Sequence, residues 1–189
     1  MKITPCIFAL LGLIFTAGST PSAAQDMNRR VITEPLPMTA TRIKNIHRVV
    51  AAKTPSGFEV PRYVSLKFGK TNARIGPSLN HPIAWQYRQV GLPVIVVAET
   101  ENWRRIRDVK GDESWIYKNG LSGERQLIAL KETPLYKVED VNSTVVAIVE
   151  PQALLRLEIC KNDYCKVYSE TGLRGWVKKD ATWGAVPLF

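Results

Sequence analysis

Cys160 and Cys165 lie five positions apart, around the polar stretch Lys161-Asn162-Asp163. Thiols at that separation can form a disulfide, hold a metal or cycle in redox chemistry. A structural zinc wants four ligands, and no histidine stands nearby. Dithiol redox centres favour C-x-x-C, and the spacing here is C-x4-C. In an oxidising compartment a close, even pair of cysteines forms a disulfide. This one is expected to staple the base of a hairpin, and closing so short a loop contributes about 2 kcal/mol. Little else in the chain suits catalysis. The histidines are His47 and His81, the latter in an Asn-His-Pro turn. There is no Gly-rich phosphate loop and no H-E-x-x-H. Asp108, Asp112 and Glu113 flank a turn and are expected to face solvent. The reading is a non-enzyme with no catalytic residues, no metal site and no cofactor.

A second reactive-looking stretch is Asn102–Asp108, Asn-Trp-Arg-Arg-Ile-Arg-Asp. It could grip a nucleic acid, or it could be a β-strand whose arginines face water. Successive side chains of a strand point to opposite faces. Arg104 and Ile106 then share one face, and Trp103, Arg105 and Arg107 share the other. A bulge would bring Trp103 and Ile106 to the same side. On either geometry Ile106 is a core candidate.

The elements that must position these residues follow a leader. Lys2 precedes the uncharged apolar run Ile7–Phe15, then small residues with Ser22 and Ala24 at the −3 and −1 positions of a cleavage site. That is the anatomy of a signal peptide over residues 1–24. The run is well short of the roughly 20 apolar residues a spanning helix needs, and no later stretch could span a bilayer. The mature protein is expected to be exported, periplasmic or secreted. Its charge is uneven. Residues 25–62 carry seven basic and three acidic groups, residues 63–123 nine and five, and residues 124–189 nine of each. Outside the cytoplasm such positive charge meets anionic envelope polymers or lipid headgroups rather than nucleic acid. A weak contact with an anionic surface is expected through residues 25–61, a basic, proline-containing, largely irregular linker with a short helix near Thr41–Ala52.

Beyond Arg62 short apolar runs alternate with Gly, Pro, Asn and Asp, the texture of a small all-β fold. An internal repeat organises it. Trp103 and Trp115 are separated by the same interval as Tyr164 and Trp176, and the offset between the pairs is 61 residues. At that offset Asn102–Ile106 falls on Asp163–Val167, Gly91–Val96 on Gln152–Leu157, and Ile83–Tyr87 on Thr144–Ile148. Apolar positions agree and charges do not. The strand at Asn102–Asp108 is therefore architecture first, with Ile106 and Val167 as core. Residues 62–123 and 124–189 are expected to be two copies of one domain. A unit of some sixty residues is marginal alone, which gives the disulfide and contact between the copies a structural purpose.

The segment Asn72-Ala-Arg74-Ile-Gly76-Pro77, the run Gly91–Val96, the Trp103–Ile106 segment and Ser114–Ile116 together resemble the bacterial SH3-like family, found as exported tandem domains. The second unit matches through Cys160–Val167 and Arg174–Val177 and lacks the Asn-x-Arg-x-Gly-Pro opening. The resemblance implies two small, partly open SH3-like barrels of five to seven strands each. Related modules bind peptides or cell-wall glycan-peptide strands, which implies peptidoglycan or an envelope protein as partner. Candidate groove residues are Asn72, Arg74, Trp85, Trp103 and Arg105, the arginines meeting carboxylates through paired hydrogen bonds. The competing assignment makes Trp85 and Trp115 core and Arg74 a brace of its turn. The alternative to ligand binding is a structural protein whose barrels pack together and on a protein partner. The second unit, neutral and stapled, is read as that structural partner.

Overall fold

The computed structural model describes residues 47–184; the leader, most of the linker and residues 185–189 lie outside them. The chain is all-β, with two open seven-stranded antiparallel sheets. The first holds β1 (Arg62–Leu66), β2 (Thr71–Arg74), β3 (Ile83–Tyr87), β4 (Pro93–Glu99), β5 (Trp103–Arg107), β6 (Glu113–Tyr117) and β7 (Leu121–Ser122). The second holds β8 (Gln126–Ala129), β9 (Thr133–Tyr136), β10 (Val145–Val149), β11 (Leu154–Lys161), β12 (Tyr164–Tyr168), β13 (Arg174–Lys178) and β14 (Thr182–Trp183). Their strand orders are β3-β2-β6-β5-β4-β1-β7 and β10-β9-β13-β12-β11-β8-β14, the same order twice.

The correspondence extends to irregularities. A bulge interrupts the β4–β5 pairing between Val96 and Ala98, and another the β11–β12 pairing between Leu157 and Ile159. A one-turn 3-10 helix precedes the last strand of each sheet, at Lys118–Gly120 and Lys179–Ala181. The turn after β5 closes with Gly111 N donating to Asp108 O at 3.0 Å, and that after β12 with Gly172 N donating to Ser169 O at 3.0 Å. Both glycines have positive φ. One alignment expected from sequence is off by a residue. β3 corresponds to Val145–Val149 rather than Thr144–Ile148, because the connection after β10, residues 150–153, is one residue shorter than the connection after β3, residues 88–92.

Alternation explains the cores. Val94, Val96, Ile106 and Ile116 fill the first, and Leu127, Leu135, Leu155, Val167 and Val177 the second. Strand β8 serves both: Leu127 and Ala129 point into the second core, while Ile128 between them is buried in the first. Leu154 and Trp183 also pack against the first core, and Trp183 meets Tyr63 edge-to-face at 5.2 Å. A fully buried aliphatic side chain contributes about 1.5–3 kcal/mol, so the junction is a packed seam.

The described end of the linker, residues 47–61, is docked rather than loose. Val49 and Val60 form a β-bridge, Val60 is buried in the first core, and Ala51–Lys53 form a 3-10 turn. Half of the helix expected near Thr41–Ala52 falls outside the described residues, and its described half is this bridge and turn.

Candidate functional site

Strands β5, β6 and β2 lie side by side, and their register decides what faces solvent. Trp103 pairs with Tyr117, Arg105 with Trp115, Arg107 with Glu113, and Trp115 in turn with Arg74. Between them Arg104 pairs with Ile116 and Ile106 with Ser114, on the core side. No bulge interrupts β5 against β6, so Trp103 stands with Arg105 and Arg107 and apart from Ile106. The face away from the core thus gathers Arg74, Arg105, Arg107, Glu113, Trp103, Trp115 and Tyr117.

Four of the five residues expected to line a groove share this face. Asn72 and Arg74 alternate outward from β2, and Asn72 accepts a hydrogen bond from Gln86 Nε2 at 2.6 Å. Arg74 Nη1 donates to His81 O at 2.6 Å, which fits the brace assignment, and its Trp115 neighbour keeps it on the open side. Arg105 is half-exposed and holds Glu113 at 2.6 Å. Trp103 is buried beneath the edge of Tyr117, ring centroids 5.5 Å apart. Trp85 is elsewhere. It pairs with Ala73, which is fully buried, and packs with Tyr87 against the first core. Trp115, weighed as core, is on the open face.

The turn that leads to β3 is built on close approach. A Cβ on Gly76 would fall 2.3 Å from the His81 ring, whose Nδ1 lies 2.8 Å from Ser78 Oγ. A side chain at position 76 would displace the His81 ring. His81 is thus a turn residue. Among the described residues no cluster of three or more His, Cys, Asp or Glu could hold a metal ion.

The acidic turn differs from expectation at one position. Asp112 is exposed and Glu113 half-buried, but Asp108 is 5% exposed. It accepts from Tyr87 Oη at 3.1 Å and from the backbone N–H groups of Lys110 and Asp112. Burial and then the charge of Asp112 push its carboxyl above the ordinary carboxylate value, against those hydrogen bonds. Burial, and then the Asp108 charge, likewise push the Tyr87 phenol up. An Asp at the first position of a turn bonds its own backbone two residues on, a signal legible in Asp108-Val-Lys-Gly. The buried tyrosine across the sheet was not.

The other unforeseen group is Glu99, at the end of β4. Its carboxylate is 2% exposed, 3.0 Å from Arg104 Nε and 2.8 Å from Arg62 Nη2, and it also accepts from Ser56 N and Oγ. Burial pushes this carboxyl up, but hydrogen bonds from Ser56 and Arg62 outweigh it and hold it below the ordinary range. Arg104 therefore turns inward to a partner, and Ser56 ties the docked linker to the same carboxylate. Cys160 and Cys165 are bonded, across the register pair that joins β11 to β12.

The sequence profile of the bacterial SH3 domain matches residues 68–123 and again residues 130–184. No curated protein matches the chain. Among solved structures it is similar to NlpC2 of Trichomonas vaginalis, with 14% identity, a TM-score of 0.31, and coverage of 66% of this chain and 48% of that one. NlpC1 of the same organism gives 14%, 0.29, 77% and 51%. An NlpC/P60 family protein of Bacillus cereus gives 12%, 0.30, 65% and 57%. The chain thus spans about half the length of these structures. With the profile matched once on each sheet, over more than half of the sequence, the chain belongs to the bacterial SH3 domain family as a tandem pair.

Proposed function

We propose that the protein is a binding module of the bacterial cell envelope that engages peptidoglycan peptide through the open face of β2, β6 and β5. Bacterial SH3 domains are typically cell-wall binding. The observation that carries the reading is the lateral row Arg74–Trp115–Arg105, two guanidiniums flanking an indole on three neighbouring strands. Guanidiniums meet a carboxylate with two parallel hydrogen bonds, and an indole offers a flat apolar surface to the peptide between them. Stem peptides of the cell wall carry such carboxylates. Glu113, which holds both Arg105 and Arg107, shows the kind of group these guanidiniums accept. Export through the leader fits this ligand. Among the described residues no helix is long and apolar enough to cross a membrane.

Sedimentation with purified peptidoglycan sacculi tests the reading. The full mature chain is expected to co-sediment, and Arg105→Glu to reduce the bound fraction about tenfold. An exposed ion pair contributes only about 0–1 kcal/mol, so this variant folds. Wild-type protein that stays in the supernatant, or Arg105→Glu that sediments unchanged, overturns it. The second reading, an assembly protein with no small ligand, draws on the seam in which Ile128, Leu154 and Trp183 enter the first core. It predicts one specific protein crosslinked in the envelope and no sedimentation.

A further inference from the structure

The same open face in the second sheet carries a different charge pattern. Arg156 pairs with Tyr168, and Tyr168 with Arg174. Both guanidiniums stand over the Tyr168 ring, 5.9 and 5.6 Å from its centroid. The next outward row is Lys166 beside Trp176 beside Tyr136, and the row after it Lys161, Tyr164 and Lys178. Outward residues follow at about 7 Å along a strand and about 5 Å between strands. On β12 and β13 cations and aromatic rings therefore alternate along each strand and across the pair. Lys166 holds Glu158 and Lys161 holds Glu139. Arg156, Arg174 and Lys178 make no ion pair among the described residues, although Glu124 and Glu170 lie close enough to attract Arg156.

The contrast with the first sheet is by position. At the 61-residue offset Glu113, which neutralises two arginines, is replaced by Arg174, and Arg107 by Tyr168. The acid is gone and a cation stands in its place. The second unit is neutral over residues 124–189, yet Arg156, Arg174 and Lys178 bring three cations to this face without an ion-pair partner among the described residues.

We propose that the outer face of β11, β12 and β13 binds an acidic polysaccharide whose sugar rings carry carboxylates. Arg156 and Arg174 take a carboxylate from either side of Tyr168, and Lys178 takes the next along β13. Trp176 and Tyr164, half-buried and flat, take the apolar faces of the rings between. Polyphosphate offers charge without ring faces, and an acidic peptide offers carboxylates on flexible stems, so neither uses both halves of the pattern. This site is independent of the peptidoglycan reading, which rests on the other sheet.

Calorimetric titration of the full mature chain with a galacturonate hexamer tests it, with maltohexaose, hexaglutamate and polyphosphate as comparisons. The galacturonate is expected to bind, more weakly as salt is added because the cations are exposed, and maltohexaose not to. Arg174→Glu and, separately, Arg156→Glu are expected to raise Kd about tenfold. Lys70→Glu, the same charge change at an exposed lysine between β1 and β2, is expected to leave Kd within about twofold. Should Arg174→Glu fail to fold, Arg156→Glu decides alone. Absence of galacturonate binding overturns the proposal. So does equal weakening by Lys70→Glu, which marks a diffuse charge effect, or equally tight binding of hexaglutamate or polyphosphate.

Discussion

The hairpin β4–β5 of the first unit and β11–β12 of the second are closed at the same place by different chemistry. At the 61-residue offset Cys160 corresponds to Glu99 and Cys165 to Arg104. Each is a register pair, Cys160 with Cys165 and Glu99 with Arg104. One hairpin is joined by a covalent bond, the other by a buried ion pair. The disulfide acts by restricting the unfolded chain and needs no other partner. The ion pair must repay the desolvation of two charges, and it recruits Arg62 and Ser56 to do so. Through Ser56 that recruitment joins the burial of Val60 in docking residues 47–61 on the first sheet. A covalent link leaves its hairpin self-sufficient; an ionic link makes a second segment part of the fold.

The sharpest way to break this equivalence is Glu99→Gln. It leaves Arg104, 8% exposed, without a counter-charge, and breaking a buried pair from one side costs about 3–5 kcal/mol. Urea unfolding followed by fluorescence of Trp85, Trp103 and Trp115 measures it. A loss below about 1 kcal/mol, the level of an exposed pair, would show that the carboxylate is not part of the fold's support. The pH dependence has a definite sign. The folded Glu99 carboxyl sits below its ordinary value of 4.5, so its contribution is complete above that value. It is lost as pH falls through the lower, folded value. The gap between wild type and Glu99→Gln should therefore narrow in acid. Asp108, whose folded value is raised, has the opposite sign and is common to both proteins.

Opening the other closure should cost less. Cys160→Ser with Cys165→Ser removes a link that closes a very short loop, worth about 2 kcal/mol. The loss should be independent of pH through the range where Glu99 titrates, since the bonded cysteines carry no proton. Wild-type protein under reductant should lose the same amount. If instead the double variant loses as much as Glu99→Gln, the bond is holding more than its own hairpin.

The two closures also show what the sequence could and could not disclose. Cys160 and Cys165 were legible because two like residues at short spacing have one simple outcome in an oxidising compartment. Glu99 and Arg104 were not. Strand alternation placed Arg104 on the face of Ile106, but nothing in the sequence named Glu99, across a bulged pairing, as its partner. The repeat was legible because core positions tolerate few residue types, so Ile106 and Val167, or Ile116 and Val177, stay apolar while charges drift. The sides of Trp85 and Trp115 were left open for one reason. Tryptophan suits both a core and an open face, and only the register of β2 with β3 and β6 assigns the side. The neutral total of the second unit hid a face on which three cations have no ion-pair partner among the described residues.

The smallest contrast tests whether the copies share one backbone down to a single strained residue. Gly91 has φ +77°, and its counterpart at the 61-residue offset is Gln152, with φ +68°. Each donates its N–H at 2.8 Å to the end of the first strand of its sheet, Gly91 to Leu66 O and Gln152 to Ala129 O. A left-handed conformation costs an ordinary L-residue about 1–2 kcal/mol, and glycine nothing. Glycine also loses about 0.5–1 kcal/mol more backbone entropy on folding. Gly91→Ala should therefore destabilise by about 1–2 kcal/mol, since its Cβ would also press on the flexible end of Gln126. Gln152→Gly relieves that strain but adds the entropy and gives up an interaction that Gln152 makes, so it should change stability by less than about 1 kcal/mol. A clear loss at position 91 beside a small change at position 152 follows only if the turn imposes the conformation and the residue accepts it. Equal losses would mean that the interaction of Gln152 outweighs its strain, and that the second copy has made a residue of its own out of a position the first leaves to glycine.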